Sequence, residues 1–154
     1  VFAKNSLSAY RLNGKIKKTY YAIIKGDVND SGTIDTPIYR PDPGKTIRAV
    51  STEREDALPA VTHWQVAERH NNKILLKVNI ETGRTHQIRV HLKYRGNPII
   101  GDTVYGNTKN PYNLNGQALH AECIGFNHPK TGEYMEFEAP LPPHFEALLE
   151  RLRK

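Results

Sequence analysis

Residues 81–92 read ETGRTHQIRVHL, with two arginines and two histidines set among Ile88, Val90 and Leu92. At roughly 100° per residue, a helix through this stretch brings Ile88 and Leu92 together as its core-facing pair. Arg89 then falls about 80° from the centre of that pair, on the border of the buried face. Arg84, Gln87 and His91 gather on another flank. Val90 points away from the core pair, so the helix requires apolar cover on a second side. An arginine beside apolar packing requires a carboxylate or phosphate, because an unpaired buried charge costs several kcal/mol. Its planar fork suits a bidentate partner. Arg89 therefore predicts a facing acidic group. Two chemistries meet that demand: a structural ion pair, or a catalytic carboxylate kept ionised by the guanidinium.

A metal centre is the weaker reading. His86 and His91 are separated by about 140° around a helix, which makes a poor chelate. His63, His70, His120, His128 and His144 show no ligand spacing either.

These side chains need a frame to hold them. KKTYYAIIKG (residues 17–26) is rich in β-formers and reads as a strand. NDSG (residues 29–32) reads as a turn, and TIDTPIYR as a short strand that Pro37 places near a sheet edge. AVTHWQVAERH and KILLKVNI read as a hairpin joined at Asn71 and Asn72, since asparagine tolerates positive φ. The motif helix is expected over residues 85–94, stopped by Gly96 and Pro98. NPIIGDTVYG reads as an apolar strand or turn, and TKNPYNLNGQ (residues 108–117) as loop. ALHAECIGFNHP and EYMEFEAP read as joined strands. PPHFEALLERLRK closes the chain as a helix with Phe145, Leu148, Leu149 and Leu152 in one stripe. The expected class is α+β, a mostly antiparallel mixed sheet flanked by helices.

A chain of 154 residues, 38% apolar and 25% charged, is enough for one globular domain with a core. No apolar run approaches the roughly 20 residues of a membrane-spanning helix. A net charge of +6 and a pI near 9.4 suit a polyanionic partner. Cys123 is the only cysteine, which rules out an internal disulfide and fits a reducing, cytoplasmic setting. The chain opens on Val1 and its only methionine is Met135, so further residues are expected before Val1.

The run ETGRTHQIRVHLKYRGNPIIGDTVYG, followed by ALHAECIGFNHPKTGEYMEFEAPLP, resembles the C-terminal part of RluA-type RNA pseudouridine synthases. KKTYYAIIKGDV and TIDTPI resemble the same family in the same order. The resemblance runs over nearly the whole chain and implies an enzyme that converts uridine in ribosomal or transfer RNA to pseudouridine, without metal or cofactor. The family's acidic catalyst lies in a motif of the form H-R-L-D-x-x-T-S-G. That motif is absent from residues 1–154. The chain therefore reads as the C-terminal portion of a pseudouridine synthase catalytic domain, truncated at its N-terminus and inactive alone.

The resemblance assigns roles residue by residue. Arg89 matches the arginine that pairs with the catalytic aspartate. Tyr20 matches the active-site tyrosine that stacks on uracil, although by itself it reads as a half-buried strand tyrosine. Ile88 matches the apolar residue beneath the base. Arg84, His86 and Gln87 lie close to the RNA path. Asp102, in a Gly-Asp that the family also carries, reads as structural; Glu81 and Glu122 are weaker candidates. His120 reads as a satisfied structural histidine. SLSAYRLNGKIKKTY is shorter than the corresponding family stretch near residues 12–14, so no role passes to Lys15 or Lys17. The competing reading is a non-catalytic RNA-binding module that keeps the fold.

Overall fold

A computed structural model describes residues 1–107, 109 and 111–154. In chain order the elements are α1 (Ser6–Leu12), β1 (Lys17–Lys25), β2 (Ser31–Asp35), β3 (Ile38–Tyr39), β4 (Ala49–Val50), β5 (Val61–His70), β6 (Lys73–Ile80), α2 (Gln87–Tyr94), β7 (Leu119–Asn127), β8 (Tyr134–Glu138) and α3 (Pro143–Arg153). Six strands form one sheet in the order β2-β5-β6-β1-β7-β8, and β3 pairs with β4 in a small second sheet. Every ladder between these strands is antiparallel. The fold is the expected α+β arrangement.

Alternation along the strands decides what each face holds. Tyr20, Ala22 and Ile24 of β1 pair with Val78, Leu76 and Ile74 of β6, and Val78 and Ile80 pair with Trp64 and Thr62 of β5. These residues share one face. Helix α2 packs there, since Thr62 hydrogen-bonds its Gln87 and His91. The other face carries Tyr21 opposite His120, and the His120 ring meets Phe145 of α3. Ile88 and Leu92 are buried in the main apolar cluster with Leu76, Val78 and Trp64. Val90 packs into a separate cluster with Ile38, Ala60 and Tyr105, which is the second apolar cover its position requires.

Two boundaries differ from the sequence reading. The turn expected over residues 29–32 is shorter, because Ser31 and Gly32 already pair with Gln65 and Trp64 in the β2–β5 ladder. Gly32 fits because a Cβ there would lie 2.1 Å from the Trp64 ring. Helix α2 begins at Gln87 rather than Thr85, because His86 adopts a left-handed backbone with φ 56°. NPIIGDTVYG resolves as a turn, with Ile99 making an isolated bridge to Ile24. The loop expected over residues 108–117 includes Thr108 and Asn110, which lie outside the described residues. The short stretch after α1 is a tight turn: Lys15 N–H donates to the Leu12 carbonyl and Gly14 takes φ 68°. The Asn71 turn holds as expected, with φ 48°.

Candidate active site

The acid that Arg89 demands lies within the chain. Arg89 Nε donates to Asp102 Oδ2 at 2.7 Å and Nη2 to Oδ1 at 2.9 Å. The Asp102 side chain is 1% exposed and that of Arg89 12%. Oδ1 also accepts the backbone N–H groups of Val104 and Tyr105, each at 3.0 Å. Burial alone raises the proton affinity of Asp102. The Arg89 fork and the two amides outweigh it and hold the carboxyl below the usual carboxylate range. Asp102 is therefore an ionised anchor, both oxygens engaged within the fold and its side chain sealed from solvent. Among the described residues, Arg89 Nη1 has no hydrogen-bond partner.

Tyr105 ties this pair to the start of α2. Its ring lies 5.0 Å from the Arg89 guanidinium carbon. Its hydroxyl accepts Arg48 N–H at 2.8 Å and lies 2.9 Å from His86 Nδ1. Burial, with the charges of Arg89 and Arg48, holds the His86 imidazole below its ordinary pKa. The left-handed backbone of His86 is the bend that carries the chain from the motif turn into α2.

Gln87 takes a different place from the RNA-facing one expected. It is 3% exposed. Its Oε1 accepts from Thr82 Oγ1 and Arg84 N, and its Nε2 donates to Val61 O and Thr62 Oγ1. It is a strut that closes the motif turn on β5. His91 is also fully buried, between Thr62 Oγ1 and the Thr36 carbonyl, each at 2.9 Å. Arg84 keeps an open position, with Nε donating to Pro59 O at 2.9 Å.

Tyr20 shares the α2 face of the sheet and packs on the cluster that contains Ile88. Burial pushes its phenol up, so it stays protonated at neutral pH. It lines a shallow cavity of about 260 Å³ with Lys18, Ala121, Ile124 and Phe137, and no lining residue comes from α2. Tyr20 and Ile88 are thus linked by packing, while Arg89 and His86 form their own group with Asp102 and Tyr105. His120 Nε2 meets the Ala139 carbonyl, and Glu81 meets His63. Among the described residues, the one group of three possible metal ligands is Cys123, Glu136 and Glu138, on the β7–β8 ladder away from α2.

No spacing in the motif itself points to Tyr105. The available signal is Asp102-x-Val104-Tyr105, where an aspartate can accept the amides two and three residues on.

The family model for RNA pseudouridylate synthase matches residues 1–94. The chain belongs to the RNA pseudouridylate synthase family. It is 48% identical over 153 residues to the RNA pseudouridine synthase YlyB of Bacillus subtilis, covering 99% of this chain and 49% of that protein. It is 40% identical over 151 residues to the ribosomal large subunit pseudouridine synthase D of Vibrio parahaemolyticus, covering 90% of this chain and 46% of that one. Among solved structures, the human RNA pseudouridylate synthase domain containing 1 matches with a TM-score of 0.76 and 26% identity, over 98% of this chain and 73% of that chain. This chain spans about half the length of the curated RNA pseudouridine synthases it matches. No helix among the described residues is long and apolar enough to cross a membrane.

Proposed function

We propose that the protein carrying this chain isomerises uridine to pseudouridine in RNA, ribosomal RNA foremost and transfer RNA as the second candidate, in the cytoplasm. In that reaction the N1–C1′ bond breaks, the uracil turns, and a C5–C1′ bond forms. A proton leaves C5, and N1 gains one. The observation that carries the reading is the state of Arg89: Asp102 holds it through Nε and Nη2, and Nη1 is unengaged among the described residues. A second carboxylate placed at Nη1 would be kept ionised and aimed by a guanidinium that cannot swing away. Asp102 is unsuited to be that group, because both its oxygens are occupied. The H-R-L-D-x-x-T-S-G motif is absent from residues 1–154, so the proposal places the catalytic aspartate in sequence outside them.

The remaining roles follow. Extruding a nucleotide costs a few kcal/mol, and stacking on Tyr20 returns about 1–3 kcal/mol of it. Ile88 supports the packing beneath the base. Arg84 and His86 face the strand. No metal or cofactor takes part. Residues 1–154 alone bind RNA weakly and leave it unmodified.

The experiment assays pseudouridine in ribosomal and transfer RNA treated with residues 1–154, the full-length protein, and full-length Arg89→Ala. Conversion by the full-length protein alone is the expected result. Conversion by residues 1–154 would place the catalyst inside them and defeat this reading. An inactive full-length protein that still binds RNA would favour the non-catalytic module.

A further inference from the structure

Beside the motif turn lies a cavity of about 380 Å³ lined by Tyr39, Arg40, Arg48, Asp56, Arg84 and Thr85, among others. Three separate segments bring an arginine to it: the residue after β3, the approach to β4, and the motif turn. Each guanidinium is fixed by a backbone carbonyl. Arg40 Nε donates to Lys45 O at 2.7 Å, Arg48 Nη1 to Thr46 O at 2.7 Å, and Arg84 Nε to Pro59 O at 2.9 Å. Among the described residues none of the three has a carboxylate partner. The acid in the lining, Asp56, is already taken by Arg54 in a two-bond pair at 2.7 and 2.9 Å.

Three positive charges around one hollow repel each other, and an anion between them reverses the sign of that interaction. Carbonyl anchoring leaves each guanidinium with N–H groups still to donate, in a planar geometry that matches phosphate oxygens. The site is joined to the Arg89 group. Thr85 is the neighbour of His86, and the Arg48 amide holds the Tyr105 hydroxyl that also meets His86.

We propose that Arg40, Arg48 and Arg84 form a clamp for a backbone phosphodiester of the RNA strand, next to the nucleotide being exchanged. The clamp rests on the reading of this protein as an RNA-modifying enzyme, and names residues by which it grips the strand. A phosphodiester fits because it presents two acceptor oxygens and one charge, and because a strand tethered here passes the motif turn.

The test is fluorescence anisotropy of the full-length protein with a labelled RNA hairpin carrying unpaired uridines, across a salt series. Arg40→Gln and Arg84→Gln each weaken binding about tenfold, and the double variant flattens the slope of log affinity against log salt by about 0.7–0.9 for one lost phosphate contact. Arg40 is exposed, so its variant folds. Arg84 holds the Pro59 carbonyl, so Arg84→Lys serves as its partner: it keeps the charge and the slope while losing the fork and part of the affinity. A hairpin with one neutral methylphosphonate at the clamped linkage loses the same affinity, and adds nothing to the arginine variants. Equal affinity and slope for all variants would overturn the clamp, whatever the pseudouridine assay reports. No binding by the unaltered protein would overturn it too. Arginine-dependent binding without uridine conversion would keep the clamp and remove the enzymatic reading.

Discussion

Arg89 and Asp102 meet side-on, through Nε and Nη2, in a pair whose aspartate is almost wholly sealed from solvent. Removing either partner leaves the other charged and buried, which costs about 3–5 kcal/mol. The two substitutions differ in what else they do. Asp102→Asn keeps the shape and most of the amide contacts, so the loss is at the lower end, about 3 kcal/mol in a urea titration. It also frees the Arg89 fork, so turnover of the full-length enzyme falls with stability.

Arg89→Ala in the full-length protein lowers turnover about a hundredfold or more, the scale of losing one oriented charged donor. RNA affinity stays within a few-fold if, as proposed, the charge acts on a catalytic carboxylate rather than on the strand. Single-turnover pseudouridine formation and equilibrium binding separate the two effects. A variant that loses affinity and keeps turnover would make Arg89 a strand contact instead.

Gln87 is expected to register in stability alone. Gln87→Ala leaves the Arg84 amide unpaired and removes one of the two donors to the Val61 carbonyl, which keeps the Glu81 N–H, and an unsatisfied group inside the fold costs about 1–3 kcal/mol. Urea denaturation should show a loss of about 2 kcal/mol or more. Unchanged stability with weakened RNA binding would return Gln87 to the strand-facing role read from the motif.

Tyr20→Ala should weaken binding of a flipped base by about 1–3 kcal/mol, while Tyr20→Phe retains the stack. If the phenol assists proton removal, Tyr20→Phe lowers turnover and leaves affinity within about twofold. Because burial raises the Tyr20 pKa, that loss should not depend on pH across the neutral range.

His91 makes stability depend on pH. Burial depresses its pKa, with the Thr36 carbonyl working the other way, so the folded protein holds it neutral. The unfolded chain takes up a proton at its ordinary value, about 6.5. Between that value and the lower folded one the unfolded state binds more protons, so stability is full above about pH 6.5 and declines as pH falls. His86 is shifted the same way and adds to the decline. Urea midpoints at pH 7, 6 and 5 test this, and His91→Gln should flatten the slope. A pH-independent midpoint would mean that His91 binds its proton equally well in the folded and unfolded chain.

The helical spacing of the motif was sufficient to place Ile88 and Leu92 in the core, Arg89 at its border and Val90 under separate cover, because burial follows the angle around a helix. It could not show which acid returns to Arg89. Asp102 arrives after the stop at Gly96 and Pro98, and no periodicity crosses that turn. The inward turn of Gln87 was hidden for a related reason: a polar residue at a helix start is usually solvated, and only the approach of β5 buries this one. The Arg40–Arg48–Arg84 cavity was invisible, since three segments converge only through the β3–β4 pairing. The β2 start was hidden because Ser31 and Gly32 have turn-like chemistry, yet pair with Gln65 and Trp64, where a side chain at Gly32 would collide with the Trp64 ring.

The position of β1 in the sheet has a consequence for how the chain is made. Within residues 1–154 it precedes both of its sheet neighbours, β6 and β7, with Ile24 against Ile74 and Lys17 against Gly125. Synthesis at about 5–20 residues per second leaves its Ala22-Ile23-Ile24 segment without a neighbour for seconds, and still one-sided until β7 follows. During that interval an apolar, β-branched segment is open along both edges, the condition under which strands from different chains join. Production of this protein should therefore be limited by aggregation of incomplete chains, with slower translation or a chaperone acting on yield while leaving the finished fold's stability unchanged.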